Sequence, residues 1–340
     1  MTKLTHEAKG TFAIAPTPFH DDGRIDEKSI DRLTDFYGEI GCDGITVLGI
    51  MGEAPKLEGA EAEEIAKRFV KRAKNMQIIV GVSAPGFAAM RSLARASMDA
   101  GAAGVMIAPP PALRTDDQIT GYFKQAVEAI GTDIPWCLQD YPLTLSVVFT
   151  PAVIRKIVMD NPSCVMLKHE DWPGLEKIST LRGFQKDGSL RPLSILTGNG
   201  ASFLDFEMER GADGAMTGYA FPELLIDVVN LSKAGKRDAA HDLFDAHLPL
   251  MRYEQQPGAG LSVRKDGGGA IITPAAPASI EAFASERMVA KPGAETPTIT
   301  CIFFARLTKR TATCSASAAS NFGASPRMPS TVTPSQPTSS

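Results

Sequence analysis

Between residue 11 and about residue 235, short apolar runs alternate with longer amphipathic stretches. The runs fall at 11–15, 45–48, 78–82, 105–108, 135–139, 165–168, 194–197 and 215–217. They are short and mainly apolar, and the run that leads to residue 168 is continuous, as parallel strands covered on both faces are. A helical pattern follows each run. Parallel strands require such crossovers, and an even alternation of eight lets the sheet close, so the pattern predicts an α/β fold, the (β/α)8 TIM barrel. Helix starts are marked by Asp26-Glu27, by Thr115-Asp116-Asp117, and by Thr150-Pro151, where a good cap precedes proline at the first helical position. Leu243, Phe244, Leu248 and Met251 space an apolar face beyond the last run. The expected organisation is a barrel over 1–235 with a C-terminal helical extension over 236–265. A doubly wound open sheet would instead need a Gly-rich phosphate turn after an early strand. Gly49-Ile50-Met51-Gly52-Glu53 lacks that spacing and runs into Ala54-Pro55.

After Lys265 the pattern fails. Gly267-Gly268-Gly269, a Pro/Ala-rich stretch over 273–279 and a Ser/Thr/Ala/Pro-rich end over 311–340 break any helix, so 266–340 reads as low-complexity or aberrant sequence, expected to be disordered.

Composition narrows the function classes. In 340 residues, 35 Lys and Arg against 39 Asp and Glu give a net charge of −4, without the basic excess that nucleic-acid binding favours. No stretch is long and apolar enough for a membrane span, and the start has no apolar signal core, so a cytoplasmic location is expected. Cys42, Cys137, Cys164, Cys301 and Cys314 show no CxxC spacing, and the histidines show no HExxH pattern. The first three cysteines read as core thiols. No metal is expected.

Lys168 is the main chemical candidate. It ends the apolar run Cys164-Val165-Met166-Leu167 and is followed by His169-Glu170-Asp171. That is where a barrel presents its active face. An amine held among apolar neighbours loses its proton more readily and attacks a carbonyl carbon as a Schiff-base nucleophile. The competing reading is a rim lysine whose stem covers the barrel edge.

Taken in order, Gly10 to Phe19 with Thr17-Pro18-Phe19, Gly49-Ile50-Met51-Gly52-Glu53, Lys168, and Gly198-Asn199 resemble the successive motifs of the dihydrodipicolinate synthase and N-acetylneuraminate lyase family, over roughly residues 10–265. The resemblance implies a homo-oligomeric barrel, a dimer or a dimer of dimers. It also implies that Lys168 forms a Schiff base with pyruvate or another 2-keto acid, with no cofactor beyond that covalent lysine. Fragments such as Ala284-Ser285-Glu286-Arg287, Lys291-Pro292-Gly293-Ala294 and Ala305-Arg306-Leu307 resemble pieces of the family's ending set in unrelated sequence, as an altered reading frame or a poorly selected terminus would leave them.

The departures from the family pattern are specific. Ile50 and Met51 stand where two threonines of dihydrodipicolinate synthases bind the keto-acid carboxylate. Gln139 stands at the catalytic tyrosine, with Tyr141 two residues away, Pro111 at a relay tyrosine, and Thr144 at the arginine that receives the second carboxylate. An amide does not exchange protons as a phenol does. Gln139-Asp140, Lys168 with Glu170, and Gly214-Ala215-Met216-Thr217-Gly218 before Phe221-Pro222 more closely resemble the 2-keto-3-deoxy-pentonate dehydratases.

Strand alternation sends Lys168 and Glu170 to one side, which makes Glu170 the candidate base for the C3 proton of the iminium, while Gln139 is expected to hold the departing C4 hydroxyl. The plainer reading of Glu170 is a pair with a rim cation. The expected pocket residues are Gly49, Ile50, Met51, Tyr141, Gly198, Asn199 and Gly218, with Tyr219 beside them. Gly198-Asn199-Gly200 also reads as a simple strand-to-helix turn, Glu53 as the cap of the helix after its loop, and Asp140 as a residue bonded to the barrel wall.

The leading expectation is a Schiff-base lyase, dehydratase or retro-aldolase, on a 2-keto-3-deoxy sugar acid or similar small molecule. The alternatives are 4-hydroxy-tetrahydrodipicolinate (dihydrodipicolinate) synthase and a non-catalytic keto-acid-binding barrel.

Overall fold

The computed structural model describes residues 2–255 together with Gly260, Leu261, Arg264 and Lys265. Eight strands, β1 (Gly10–Ile14), β2 (Gly44–Val47), β3 (Gln77–Gly81), β4 (Gly104–Ile107), β5 (Trp136–Asp140), β6 (Cys164–His169), β7 (Ser194–Thr197) and β8 (Gly214–Thr217), pair in parallel in chain order. Pairing of β8 with β1 closes the barrel. The helices are α1 (Glu27–Glu39), α2 (Gly59–Arg72), α3 (Phe87–Asp99), α4 (Asp116–Ile130), α5 (Pro142–Leu145), α6 (Pro151–Asp160), α7 (Leu175–Lys186), α8 (Leu204–Glu209), α9 (Pro222–Lys233) and α10 (Arg237–Glu254).

The predicted runs locate every strand, with small differences at the ends. β1 to β4 each begin one residue earlier than the apolar run, because the ladder bonds backbone and needs no apolar side chain. Gly44 shows why glycine stands at such a start: a Cβ there would collide with the Phe12 ring and with Gln77 O. β5 begins at Trp136 rather than Pro135, since proline has no N–H for the ladder, although Pro135 O still accepts from Val105 N at 3.1 Å. β6 runs one residue past Lys168, and Glu170 N continues the ladder to Asp140 O at 2.8 Å.

The helix starts follow their caps. The Asp26 side chain accepts from Ser29 N, Thr115 forms a reciprocal box with Gln118, and Thr150 accepts from Val153 N ahead of Pro151. Most of the core lies between strands and outer helices. A second layer fills the barrel interior with Phe12, Ile14, Ile79, Met106, Cys137, Met166, Leu196 and Met216, and Leu4 packs against it. Helix α10 joins a cluster with α8 and α9 through Ala240, Phe244 and Met251. Cys42, Cys137 and Cys164 are buried free thiols, pushed upward by burial to about 12 for Cys42 and Cys164.

No helix among the described residues is long and apolar enough to cross a membrane. The expectations for 266–340, Cys301 and Cys314 included, lie outside the described residues.

Candidate active site

Period-two alternation carries the apolar interior upward into polar side chains. Cys137 faces inward, and so does Gln139 two residues on; Met166 leads in the same way to Lys168 and Glu170. Gln139 and Lys168 are partners in the β5–β6 register. Their side chains converge: Lys168 Nζ lies 2.8 Å from Glu170 Oε1, and Gln139 Nε2 donates to the same oxygen at 2.7 Å. The other carboxylate oxygen, Oε2, accepts from Asn199 N at 3.2 Å. Lys168, Glu170 and Gln139 are each at most 5% exposed, so the ion pair is screened little by water.

Above the inward Leu196 and Met216, the same alternation puts Gly198 and Gly218. A Cβ at Gly198 would stand 2.5 Å from Glu170 Cγ, so glycine is what admits the carboxylate. At Gly218 a Cβ would overlap Met51 Sδ, so this glycine accommodates the methionine. Gly49 is different: a Cβ there would meet only ordinary contacts, the nearest being Met106 Cε at 3.6 Å. Asn199 is 8% exposed, has φ of 49°, and its Nδ2 is buried without a hydrogen-bond partner among the described residues. Leu48, Glu53 and Ala201 also have positive φ, which places backbone strain in the loops after β2 and β7.

Several expectations are corrected. Glu170 pairs with Lys168 itself, so the amine is not in purely apolar surroundings and the carboxylate needs no separate rim cation. Lys168 is buried, which removes the reading of it as an exposed rim side chain. Ile50 is 45% exposed and belongs to none of the core clusters, so only Met51 of that pair packs inward. Tyr141 is partly exposed ahead of α5, and its hydroxyl has no hydrogen bond among the described residues.

Glu53 does not cap the short 3-10 helix that follows it. It pairs instead with Lys56 and Lys265; burial raises its carboxyl, but the bonds from Lys265 and Lys56 outweigh that and hold it below the usual range. Asp140 does face away from Gln139, where it accepts from Lys177 Nζ at 2.8 Å.

Some contacts around the site carried no clear sequence signal. Thr17 Oγ1 donates to Gly52 O at 2.6 Å and ties the first motif to the second. Gln255 Nε2, just after α10, donates to Asn199 O at 2.8 Å, a contact across 56 residues that no local pattern announces. Glu207 on α8 is pushed up to about 8 by burial; a Thr197 hydrogen bond opposes the shift, and the Asp205 and Glu170 charges add to it. Its helical spacing is polar, so only the fold reveals its burial.

A sequence model of the Dihydrodipicolinate synthetase family matches residues 7–265. A crystal structure described as dihydrodipicolinate synthase from Rhodopseudomonas palustris is 72% identical and covers 91% of this chain and 100% of its own, with a TM-score of 0.80. The 4-hydroxy-tetrahydrodipicolinate synthase of Persephonella marina is 30% identical over 248 residues, covering 72% of this chain and 82% of the relative. The L-2-keto-3-deoxyarabonate dehydratase of Azospirillum brasilense is 27% identical over 274 residues, covering 78% and 86%. On this match and these relatives the chain belongs to the dihydrodipicolinate synthetase family, as a lyase built on a closed (β/α)8 barrel.

Proposed function

We propose that the chain is a Schiff-base dehydratase acting on a 2-keto-3-deoxy sugar acid. The observation that carries this reading is the buried contact of Lys168 Nζ with Glu170 Oε1 at 2.8 Å, with Gln139 on the same oxygen. Proton transfer from the ammonium to Glu170 frees the amine to attack the C2 carbonyl, and loss of that oxygen as water leaves an iminium. The iminium acidifies C3. Glu170, within reach of the nitrogen, takes the C3 proton, and the resulting enamine expels the C4 hydroxyl, which leaves with that proton as water. Hydrolysis of the imine returns Lys168.

Gln139 holds Glu170 rather than standing free for the departing hydroxyl. The unpartnered Asn199 Nδ2 is the better candidate to orient that hydroxyl. In this reading the backbone of Gly49-Ile50-Met51 and Gly218 would border the substrate, and its carboxylate would be bound without the hydroxyls of threonines. Cofactor chemistry has no step in this scheme.

The second reading, condensation of pyruvate with aspartate semialdehyde, is favoured by the name of the Rhodopseudomonas palustris relative. Against it, Gln139 supplies no phenol, and the second carboxylate would meet Thr144, which is exposed on α5. Loss of a charge-assisted contact costs about 1.5–3 kcal/mol, or roughly tenfold to a hundredfold in binding.

Purified protein is to be incubated with a panel of 2-keto-3-deoxy sugar acids and, separately, with pyruvate plus aspartate semialdehyde. Loss of water from a member of the panel with no condensation is expected. Efficient condensation with the whole panel untouched would overturn the dehydratase reading.

A further inference from the structure

The alternation that turns Gln139, Lys168 and Glu170 inward turns Asp140 and His169 outward, and neither outward residue has a step in the proposed chemistry. Both are 0% exposed. Lys177, in the first turn of α7, reaches them from the helix layer. Its Nζ donates to Asp140 Oδ2 at 2.8 Å and lies 2.7 Å from Asp171 Oδ2. One buried ammonium therefore ties the last residue of β5 and the second residue beyond β6 to α7. Asp171 carries the imprint of that contact: burial raises its carboxyl, but the Lys177 hydrogen bond and charge outweigh it and hold it below the usual range.

Among the described residues no second side-chain hydrogen bond holds Asp140. His169 Nδ1 stands 3.7 Å from Asp140 Oδ2, beyond hydrogen-bond reach, and Asp140 Oδ1 and both His169 ring nitrogens have no hydrogen-bond partner among the described residues. The backbone of these outward residues carries the reacting ones. Asp140 O accepts from Glu170 N at 2.8 Å, and His169 O accepts from Gly198 N at 2.8 Å, one residue before Asn199. A shift of Asp140 or Asp171 is thus passed to the carboxylate of Glu170, through a strand end with little slack.

We propose that Lys177 is a positioning residue for proton abstraction: by clamping Asp140 and Asp171 it fixes Glu170 against the C3 proton of the iminium. The proposal rests on the reading of Glu170 as the base. It requires that Lys177 act on the rate of C3 proton abstraction while the extent of Schiff base trapped after equilibration stays largely untouched, since Glu170 affects how fast Lys168 loses its proton but not that equilibrium yield; a purely structural ion pair would lower both together.

The full chain offers a test that does not depend on the identity of the sugar acid. Pyruvate in deuterated water reports C3 proton abstraction through exchange of its methyl protons, followed by NMR, and borohydride trapping of pyruvate reports the Schiff base. Lys177→Met is expected to lower the kcat of exchange about 10- to 100-fold, the cost of displacing a reacting group by about 1 Å, with KM for pyruvate and trapping at Lys168 within about threefold of wild type. Adding Asp140→Asn should cost little more, because the two residues act as one unit.

Unchanged exchange in Lys177→Met, or parallel loss of exchange and trapping, would overturn the positioning role. If that variant does not fold, Asp171→Asn removes one arm of the clamp and retains the Asp140–Lys177 pair; exchange should still fall about threefold or more with trapping intact, and unchanged exchange overturns the proposal. Glu170→Gln separates the two layers of argument. Wild-type exchange in Glu170→Gln defeats the reading of Glu170, whereas loss there with full activity in Lys177→Met defeats the inference alone.

Discussion

Lys168 Nζ, Glu170 Oε1 and Gln139 Nε2 form a chain of two contacts, 2.8 and 2.7 Å long, in a part of the barrel largely closed to water. Lys168→Ala removes the nucleophile and leaves Glu170 with its bonds to Gln139 and Asn199, so the fold should survive. Turnover and borohydride trapping should both vanish while the circular dichroism spectrum stays that of the wild type. Processing of a keto acid at the wild-type rate by this variant would end the Schiff-base reading.

Gly198 offers a subtler test at the same scale, because the Cβ of Gly198→Ala would press on Glu170 Cγ. Overpacking of this kind costs about 1–3 kcal/mol. Thermal unfolding should therefore move down by roughly 2–12 °C, and proton abstraction should fall with it. A variant as stable and active as the wild type would show that glycine is not required there.

Helix α10 is held to α8 by a polar contact as well as by the apolar cluster of Phe244 and Met251. His241 Nδ1 lies 2.6 Å from Asp205 Oδ2, and Nε2 lies 2.8 Å from Glu209 Oε1. The Glu209 hydrogen bond raises the His241 imidazole above its ordinary 6.5 and the Asp205 bond adds to this, while burial opposes both. A group raised on folding stabilises fully below its unfolded value and loses that contribution as pH climbs through the folded one. Glu209 works in the other direction: the His241 bond holds its carboxyl below the ordinary 4.5, so its share is lost only as pH falls through that depressed value.

The stabilisation is therefore expected to be present between these limits, to fade as pH climbs through the raised value of His241, and to be small because His241 is partly exposed. Melting temperatures of the wild type and His241→Asn, measured from pH 5.5 to 9, should differ most at the acidic end and converge at the alkaline end. A constant difference would detach this contact from titration.

At the scale of the whole molecule, the outer helices of a (β/α)8 barrel offer surface for self-association, and the family resemblance implies a dimer or a dimer of dimers. Light scattering of the full chain at micromolar concentration is expected to give a multiple of the protomer mass; a stable monomer would count against the assembly. The net charge of −4 gives such copies little mutual repulsion.

The barrel was legible in the chain because each strand is a short local run that must be buried on both faces, and eight runs with intervening helical patterns admit few other closures. The place of Lys168 at the end of an apolar strand was legible for the same local reason, and its pairing with Glu170 followed from period two. Strand ends such as Gly44 and Trp136 were displaced by a residue because backbone pairing and the missing proline N–H decide them, not side-chain polarity.

Contacts between distant segments were decided only in three dimensions. Lys177 falls four residues before Leu181 on the buried side of α7, and its spacing alone gives no hint that it joins Asp140 to Asp171. Whether Met51 or Ile50 turns inward, whether Gln139 is free or bound to Glu170, and which loop receives Gln255 all depend on how separate strands and loops converge at one end of the barrel. Local sequence sets the period of each element, but convergence is a property of closure, since a side chain's partners there come from strands up to the full length of the barrel apart.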